Sequence, residues 1–236
     1  MATAANTVRE VVLEYPASIP VLEELGIDYC CGGEQRLAEA CAAARLEVDR
    51  VLARLEAQQN SPAVTPEKDW RREPLAALVG HILATHHEFI GRECPRLTQL
   101  LEKVCTVHSK NHGELLRVRD VFSALSEELG AHLLKEEQIL FPYIVSAEQE
   151  AARGGKAPAS CFGTVRNPIR MMMFEHDNAG NALRELRNLT HGYTLPPDAC
   201  PSYRALYQGL QAFEADLHRH IHLENNILFP GAIALE

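Results

Sequence analysis

The chain contains two copies of the pattern His-x-x-x-Glu-x-x-Ile-Leu-Phe-Pro, one at residues 132–142 and one at residues 220–230. On a helix, side chains four residues apart lie on the same face, with Cβ atoms about 5–6 Å apart. Each copy can therefore present an imidazole and a carboxylate to one metal ion or to two adjacent ions. The repeat predicts a metal site with two similar halves. Its pairs are His132 with Glu136, and His220 with Glu224.

A further histidine followed by an acidic residue precedes each copy: His87-Glu88 before the first, and His176-Asp177 before the second. The spacing from the upstream histidine to the motif histidine is 45 positions in the first half and 44 in the second. Such a repeat predicts a duplicated two-helix hairpin, and so four helices in all.

Apolar residues at steps of three and four place both motif pairs in a buried seam. A buried carboxylate needs a cation or several hydrogen-bond donors. In the second helix the predicted seam is Val118, Phe122, Leu125, Leu129, His132, Glu136, Ile139 and Tyr143. In the fourth helix it is Leu206, Leu210, Phe213, Leu217, His220, Glu224 and Ile227. In the third helix His176 aligns with Ile169, Met172 or Met173, and Leu183.

In the first of the four helices, either of two adjacent histidines could be the metal ligand. One stripe contains His87 with Ile90 and Cys94, and a neighbouring stripe contains His86 with Phe89. The matched spacing favours His87, with His86 as the alternative ligand. Of the other histidines, His81 or His108 could lie near the site, whereas His112, His191, His218 and His222 are expected at the surface.

Residues 59–68 carry two prolines without apolar periodicity and are predicted to link a small helical domain at 1–58 to a bundle at 69–236. Thr7 and Glu10 form a predicted capping box, and Gly26 is expected to end a short helix. The bundle helices are expected to start near Pro74, residues 111–114, Asn167-Pro168 and Pro201. Gly192 and Pro230 are expected to end helices, and Pro95 and Pro142 to kink or end theirs.

Composition excludes several classes of protein. A net charge of −9 and a pI near 5.7 argue against binding to nucleic acid or to an anionic membrane. The absence of a long apolar run predicts a soluble, cytoplasmic protein. Seven cysteines, five of them scattered singly, suit reduced thiols better than a disulfide framework.

Four imidazoles and two carboxylates are too many donors for one tetrahedral zinc ion, and they include no thiolate. Two iron or manganese ions fit better. If Glu136 and Glu224 bridge the ions, each ion receives two histidine nitrogens and two carboxylate oxygens. Positions then remain open for exogenous ligands.

Together with the segment Gly-Ile-Asp-Tyr-Cys-Cys-Gly-Gly at 26–33, the two motifs resemble the iron–sulfur cluster repair di-iron proteins of the YtfE/ScdA/RIC type. The resemblance implies an all-α fold, with a hemerythrin-like four-helix bundle behind a small helical ScdA-type domain. It also implies an oxo- or hydroxo-bridged pair of irons. The implied ligands are His87, His132, His176 and His220, with Glu136 and Glu224 as bridges.

That resemblance further implies repair of iron–sulfur clusters damaged by oxidative or nitrosative stress, by supplying iron, by reacting with nitric oxide, or both. The implied partners are damaged iron–sulfur proteins or an assembly scaffold, with nitric oxide or oxygen as small ligands. A homodimer is compatible with it. Nitric oxide reductase activity is left open. The alternatives are a hemerythrin-like protein that binds or senses oxygen or nitric oxide, and a zinc-filled structural bundle.

Cys30 and Cys31 are adjacent and precede two glycines. Adjacent cysteines can hold two thiolates close together or form a strained, reducible disulfide. One hypothesis is that the pair exchanges thiols, iron or nitric oxide with a partner or with the bundle. The other is a packed loop whose thiols are inert.

Overall fold

The computed structural model describes residues 2–59 and 68–236, so most of the predicted linker lies outside the described residues. Within them every regular element is a helix, apart from one isolated bridge between Thr7 and Arg36. The prediction of an all-α protein is confirmed. The described chain forms two compact units, one of residues 1–74 with 221–230 and one of residues 75–220 with 231–236.

Residues 2–59 of the first unit form four short α-helices: α1 (Val8–Glu14), α2 (Ile19–Leu25), α3 (Leu37–Ala43) and α4 (Val48–Gln59). The predicted capping box is present, because Thr7 accepts from the Glu10 amide and Glu10 accepts from the Thr7 amide. Gly26 ends α2 as predicted, with a φ of 68° that favours glycine. Apolar side chains from all four helices make the core of this unit, among them Val8, Leu22, Leu37, Val51 and Leu55.

Four long helical runs make the bundle. They comprise α5 (Leu75–Ile82) and α6 (Glu88–His108), α7 (Glu114–Lys135) and α8 (Phe141–Ala152), α9 (Arg166–Leu189), and α10 (Pro201–Leu223) and α11 (Phe229–Ala234). In the second unit α7 packs against α6 and α9, and α5 packs against α8. The Phe122 and Phe213 rings pack edge to face with their centroids 5.5 Å apart, and both side chains are fully buried. Ring contacts of this kind add to the free energy gained by burial.

Three of the four runs are interrupted by a single π turn, at Leu83–His87, Glu136–Leu140 and Glu224–Leu228. In each turn the backbone bond spans five residues, for example from the Phe141 amide to the Glu136 carbonyl. A π turn inserts one extra residue into a helix, and such turns are frequent at functional sites. Each of the three contains a predicted metal ligand.

The π turns explain where the predicted seam is wrong. In α7 the seam residues are buried up to Glu136, but Ile139 is 48% exposed, while Leu140 and Ile144 are buried. In the fourth run Leu228, not Ile227, is fully buried. The extra residue rotates the rest of the helix, so a pattern counted in steps of three and four loses its phase there.

Several predicted helix ends also differ. Pro230 and Pro142 do not end their helices, because each stands in the first turn of the α segment that follows a π turn. A missing amide is tolerated at that position. The α6 helix also continues through Pro95. The third bundle helix begins at Arg166, and its N-cap is Val165 rather than Asn167. It ends earlier than predicted, because its C-cap is Thr190 and Gly192 lies two residues beyond.

No helix among residues 2–59 and 68–236 is long and apolar enough to cross a membrane.

Phe122 and Phe174 offer a matched test of the bundle core, since Phe122 is fully buried and Phe174 is 59% exposed. We expect Phe122→Ala to lower the free energy of unfolding by about 3–5 kcal/mol, because it removes buried area and leaves a cavity. Phe174→Ala should change it by less than about 0.5 kcal/mol. Urea unfolding of metal-free protein measures both, since bound metal would add its own stabilisation. Equal effects of the two substitutions would contradict the packing described.

Candidate metal centre

Glu136 lies at the centre of the candidate site and is fully buried. Its Oε1 atom is 3.3 Å from His132 Nε2, and its Oε2 atom is 3.5 Å from His87 Nε2. Each oxygen of the carboxylate therefore faces a different imidazole. This is the arrangement in which a carboxylate bridges two ions.

Outer carboxylates orient two of the imidazoles. His87 Nδ1 lies 2.9 Å from Glu137 Oε1, and His132 Nδ1 lies 2.7 Å from Glu175 Oε2. A carboxylate accepts only, so each Nδ1 carries the proton and each Nε2 presents its lone pair to the interior. Metal-binding histidines usually have such partners, which fix both the tautomer and the ring orientation.

Lys135 shares Glu175 with His132. Burial raises the pKa of Glu175, but hydrogen bonds from Lys135 and His132 outweigh that effect and hold the pKa below its usual value. Glu175 is therefore ionised at neutral pH, which suits an acceptor for the imidazole N–H.

The six predicted ligands form two groups that share their carboxylates. His87 and His220 belong to one group and His132 and His176 to the other, while Glu136 and Glu224 belong to both. Within a group the donor atoms lie within 4.8 Å of one another, and all six residues are buried. Two ions, each with two imidazoles and two shared carboxylates, match this arrangement.

Distances between the imidazoles also suit a metal. His132 Nε2 and His176 Nε2 are 3.1 Å apart. Two nitrogens bound at right angles to one ion, with bonds of about 2.1 Å, are about 3.0 Å apart. All the donors are nitrogen and oxygen atoms, which suit iron or manganese better than they suit a metal that prefers thiolate ligands. The residues present therefore fit a pair of irons.

His86 is buried as well, but it faces a different partner. Its Nδ1 atom is 3.0 Å from Asp216 Oδ1, and its ring stacks on that of His220 at 5.8 Å. The π turn at Leu83–His87 accounts for two adjacent buried histidines, because it turns both toward the interior. His86 is not a member of either ligand group.

The acids noted beside the upstream histidines are not in the site. Glu88 and Asp177 are exposed, and neither belongs to a ligand group. The acids that do orient imidazoles, Glu137 and Glu175, were missed. Each is next to a predicted ligand in the sequence, and this position could have suggested a role in the site. Adjacent residues point in different directions on a helix, however, so the position alone does not predict a contact with a histidine. Only the packing of one helix against another decides which of them meets a histidine.

The remaining histidines separate into distinct surroundings. His81 is half-buried, with Nδ1 3.2 Å from Thr85 Oγ1. His108 packs beside Tyr203 at 5.2 Å, and neither His81 nor His108 belongs to a ligand group. His191 is exposed as predicted. His222 was expected at the surface but is buried, and its Nδ1 lies 2.8 Å from Asn226 Nδ2.

Comparison with known proteins places the chain in a family. Residues 78–232 match the hemerythrin HHE cation-binding domain, and residues 4–59 match ScdA_N, a domain of unknown function. The chain is 37% identical over 236 residues, all of both chains, to the iron–sulfur cluster repair protein YtfE of Escherichia coli O81 (strain ED1a). This chain belongs to the YtfE family. The same identity and coverage relate it to YtfE of Escherichia fergusonii. The predicted resemblance and the hemerythrin-like bundle are confirmed, and the matched HHE domain is described as a cation-binding domain.

The ligand assignment predicts that His132→Ala and Glu224→Leu each weaken ferrous iron binding by more than about tenfold, because loss of a direct ligand should cost at least as much as loss of an outer partner. Helical circular dichroism should remain close to that of the original protein. His191→Ala, which alters an exposed histidine, is the matched control. Unchanged iron affinity in both ligand variants would show that the assignment is wrong.

The orienting role of Glu175 can be tested with a substitution on the same helix. We expect Glu175→Gln to weaken iron binding roughly 10–100-fold, since the amide no longer fixes the His132 tautomer as strongly. Glu185→Gln is the control, because Glu185 pairs with Arg117 at the surface. Equal iron affinities of these two variants, measured by competition with a chelator, would refute the role.

Proposed function

We propose that this protein repairs damaged iron–sulfur clusters by supplying iron from a pair of ions held between its bundle helices. The position of Glu136 is the strongest support for this proposal, because its two carboxylate oxygens face imidazoles of different ligand groups. Similarity over the whole chain to proteins named as iron–sulfur cluster repair proteins supplies the biological context. The damage is that caused by oxidative or nitrosative stress, and the partners are damaged cluster proteins or an assembly scaffold.

The proposed ligands are His87 and His220 for one ion, His132 and His176 for the other, and Glu136 and Glu224 as shared bridges. When bound, the irons would form a redox-active pair. The protein residues around them set how firmly they are held. Glu137 and Glu175 keep two imidazoles in the binding tautomer, and the buried seam excludes water from the donors.

The donor set suits delivery of iron. Imidazole and carboxylate ligands bind ferrous iron less tightly than thiolates do, so a recipient that offers sulfur ligands can draw the ion away. The described cysteines form no disulfides, which suits a reducing compartment and supports a cytoplasmic location. Nitric oxide and oxygen are candidate small ligands of the same pair of ions.

The test of delivery uses an iron–sulfur enzyme that has lost its cluster, together with sulfide and a reductant. Iron-loaded protein should restore the enzyme's activity faster than the same quantity of free ferrous iron. Protein with Glu136→Leu should perform no better than free iron, because it lacks a bridge. The Glu185→Gln variant, changed only at the surface, should match the original protein.

Equal restoration by loaded protein and by free iron would contradict delivery. The alternatives give different results in the same preparation. Reversible oxygen binding without oxidation of iron would favour a hemerythrin-like carrier or sensor. Sustained consumption of nitric oxide with a reductant would favour a reductase.

A further inference from the structure

A second cluster of metal-binding atoms lies in the first unit, in the loop that follows α2. Asp28, Cys30 and Cys31 bring a carboxylate oxygen and two sulfurs within 4.8 Å of one another. Cys30 Sγ is 3.3 Å from Asp28 Oδ1 and 3.8 Å from Cys31 Sγ. Neither cysteine is in a disulfide, and Cys30 is buried whereas Cys31 is partly exposed.

These distances match the edges of a metal tetrahedron. With metal–sulfur bonds of about 2.3 Å, two thiolates on one tetrahedral ion have sulfurs about 3.8 Å apart. That is the distance between Cys30 Sγ and Cys31 Sγ. With a metal–oxygen bond of about 2.1 Å, the sulfur-to-oxygen edge is about 3.6 Å, slightly longer than the 3.3 Å from Cys30 Sγ to Asp28 Oδ1. A cation could enter with small adjustments of the side chains.

The carboxylate is fixed in place by the loop backbone. Asp28 Oδ1 accepts from the Cys30 amide at 3.1 Å and from the Cys31 amide at 2.9 Å. Gly32 allows the turn to close, because a Cβ atom there would lie 3.1 Å from the Asp28 carbonyl oxygen. The loop therefore holds Asp28 beside the sulfurs before any ligand arrives.

Two asparagines of the same unit hold the loop from the other side. Asn225 Nδ2 donates to the Cys30 carbonyl at 3.2 Å, and Asn226 Nδ2 donates to the Tyr29 carbonyl at 3.1 Å. Both amides are buried. Buried side-chain bonds to backbone carbonyls restrict the conformations of the loop, and a preorganised site loses less entropy when it binds.

We propose that Asp28, Cys30 and Cys31 bind one thiophilic divalent cation, such as ferrous iron or zinc, at a site separate from the bundle centre. Binding converts two thiols to thiolates and releases two protons to solvent, with no change in oxidation state. Two thiolates select such cations over magnesium or calcium. Three protein ligands leave one tetrahedral position open to water or to an incoming thiolate.

The test uses cobalt(II) as a spectroscopic probe of the metal-free full chain, with the thiols reduced by a phosphine, so that no iron occupies the loop beforehand. The proposed ligands of the bundle contain no sulfur, so a thiolate-to-cobalt charge-transfer band reports only on cysteine sites. We expect one cobalt ion per chain with this band, and two protons released as it forms. Cobalt bound in the bundle therefore gives no charge-transfer band that could be mistaken for the band of the loop.

Three variants assign the band. Cys31→Ser, at the partly exposed thiol, should remove most of it, and the Cys30→Ser/Cys31→Ser double variant should remove all of it. Asp28→Asn keeps an oxygen for the two backbone amides but loses the charge, and should weaken cobalt binding roughly tenfold or more. Cys161→Ser, at an exposed cysteine, should leave the band unchanged.

No band in the original protein, or a band that survives in the double serine variant, would overturn the proposal. Circular dichroism of each variant, and the iron it binds in a separate titration without cobalt, show that both units are still folded. The Cys31→Ser variant keeps the test decisive if the buried Cys30→Ser change unfolds the loop.

Discussion

The main physical constraint on the bundle is the burial of ionisable side chains in its interior. Glu136 and Glu224 are fully buried, together with four imidazoles. Moving a carboxylate out of water costs several kcal/mol even after the surroundings relax, and a hydrophobic seam alone cannot supply that. Two divalent cations bound as proposed would, because each would contact carboxylate and imidazole donors directly. The outer carboxylates and the π turns are the means by which the fold brings those donors together.

The repeated motif has a structural meaning as well as a chemical one. In both copies Glu begins a π turn and Phe-Pro begins the α segment after it. The residue after the glutamate of the motif differs between the copies. Glu137 orients His87, whereas Asn225 holds the Cys30 carbonyl. The same position of the motif therefore contacts the candidate ligand His87 in one copy and the cysteine loop in the other.

Much of this could be predicted from the sequence, because helical periodicity and the matched spacing of histidines act locally. The six candidate ligands and the seam up to Glu136 and Glu224 follow from counting residues along a regular helix. The count fails after each π turn, as Ile139 and Leu228 show, since one added residue rotates the helix without a clear sequence signal. Glu175 and the contacts of Asn225 and Asn226 depend on segments far apart in sequence, which periodicity does not relate.

The central claim is that Glu136 and Glu224 are shared by two irons. An iron count combined with Mössbauer spectroscopy of the purified protein tests it most directly. Two irons that share both carboxylates should give two irons per chain, and in the oxidised protein a diamagnetic ground state from two coupled high-spin ferric ions. One iron per chain, two magnetically isolated irons, or a bundle purified with zinc alone would contradict it.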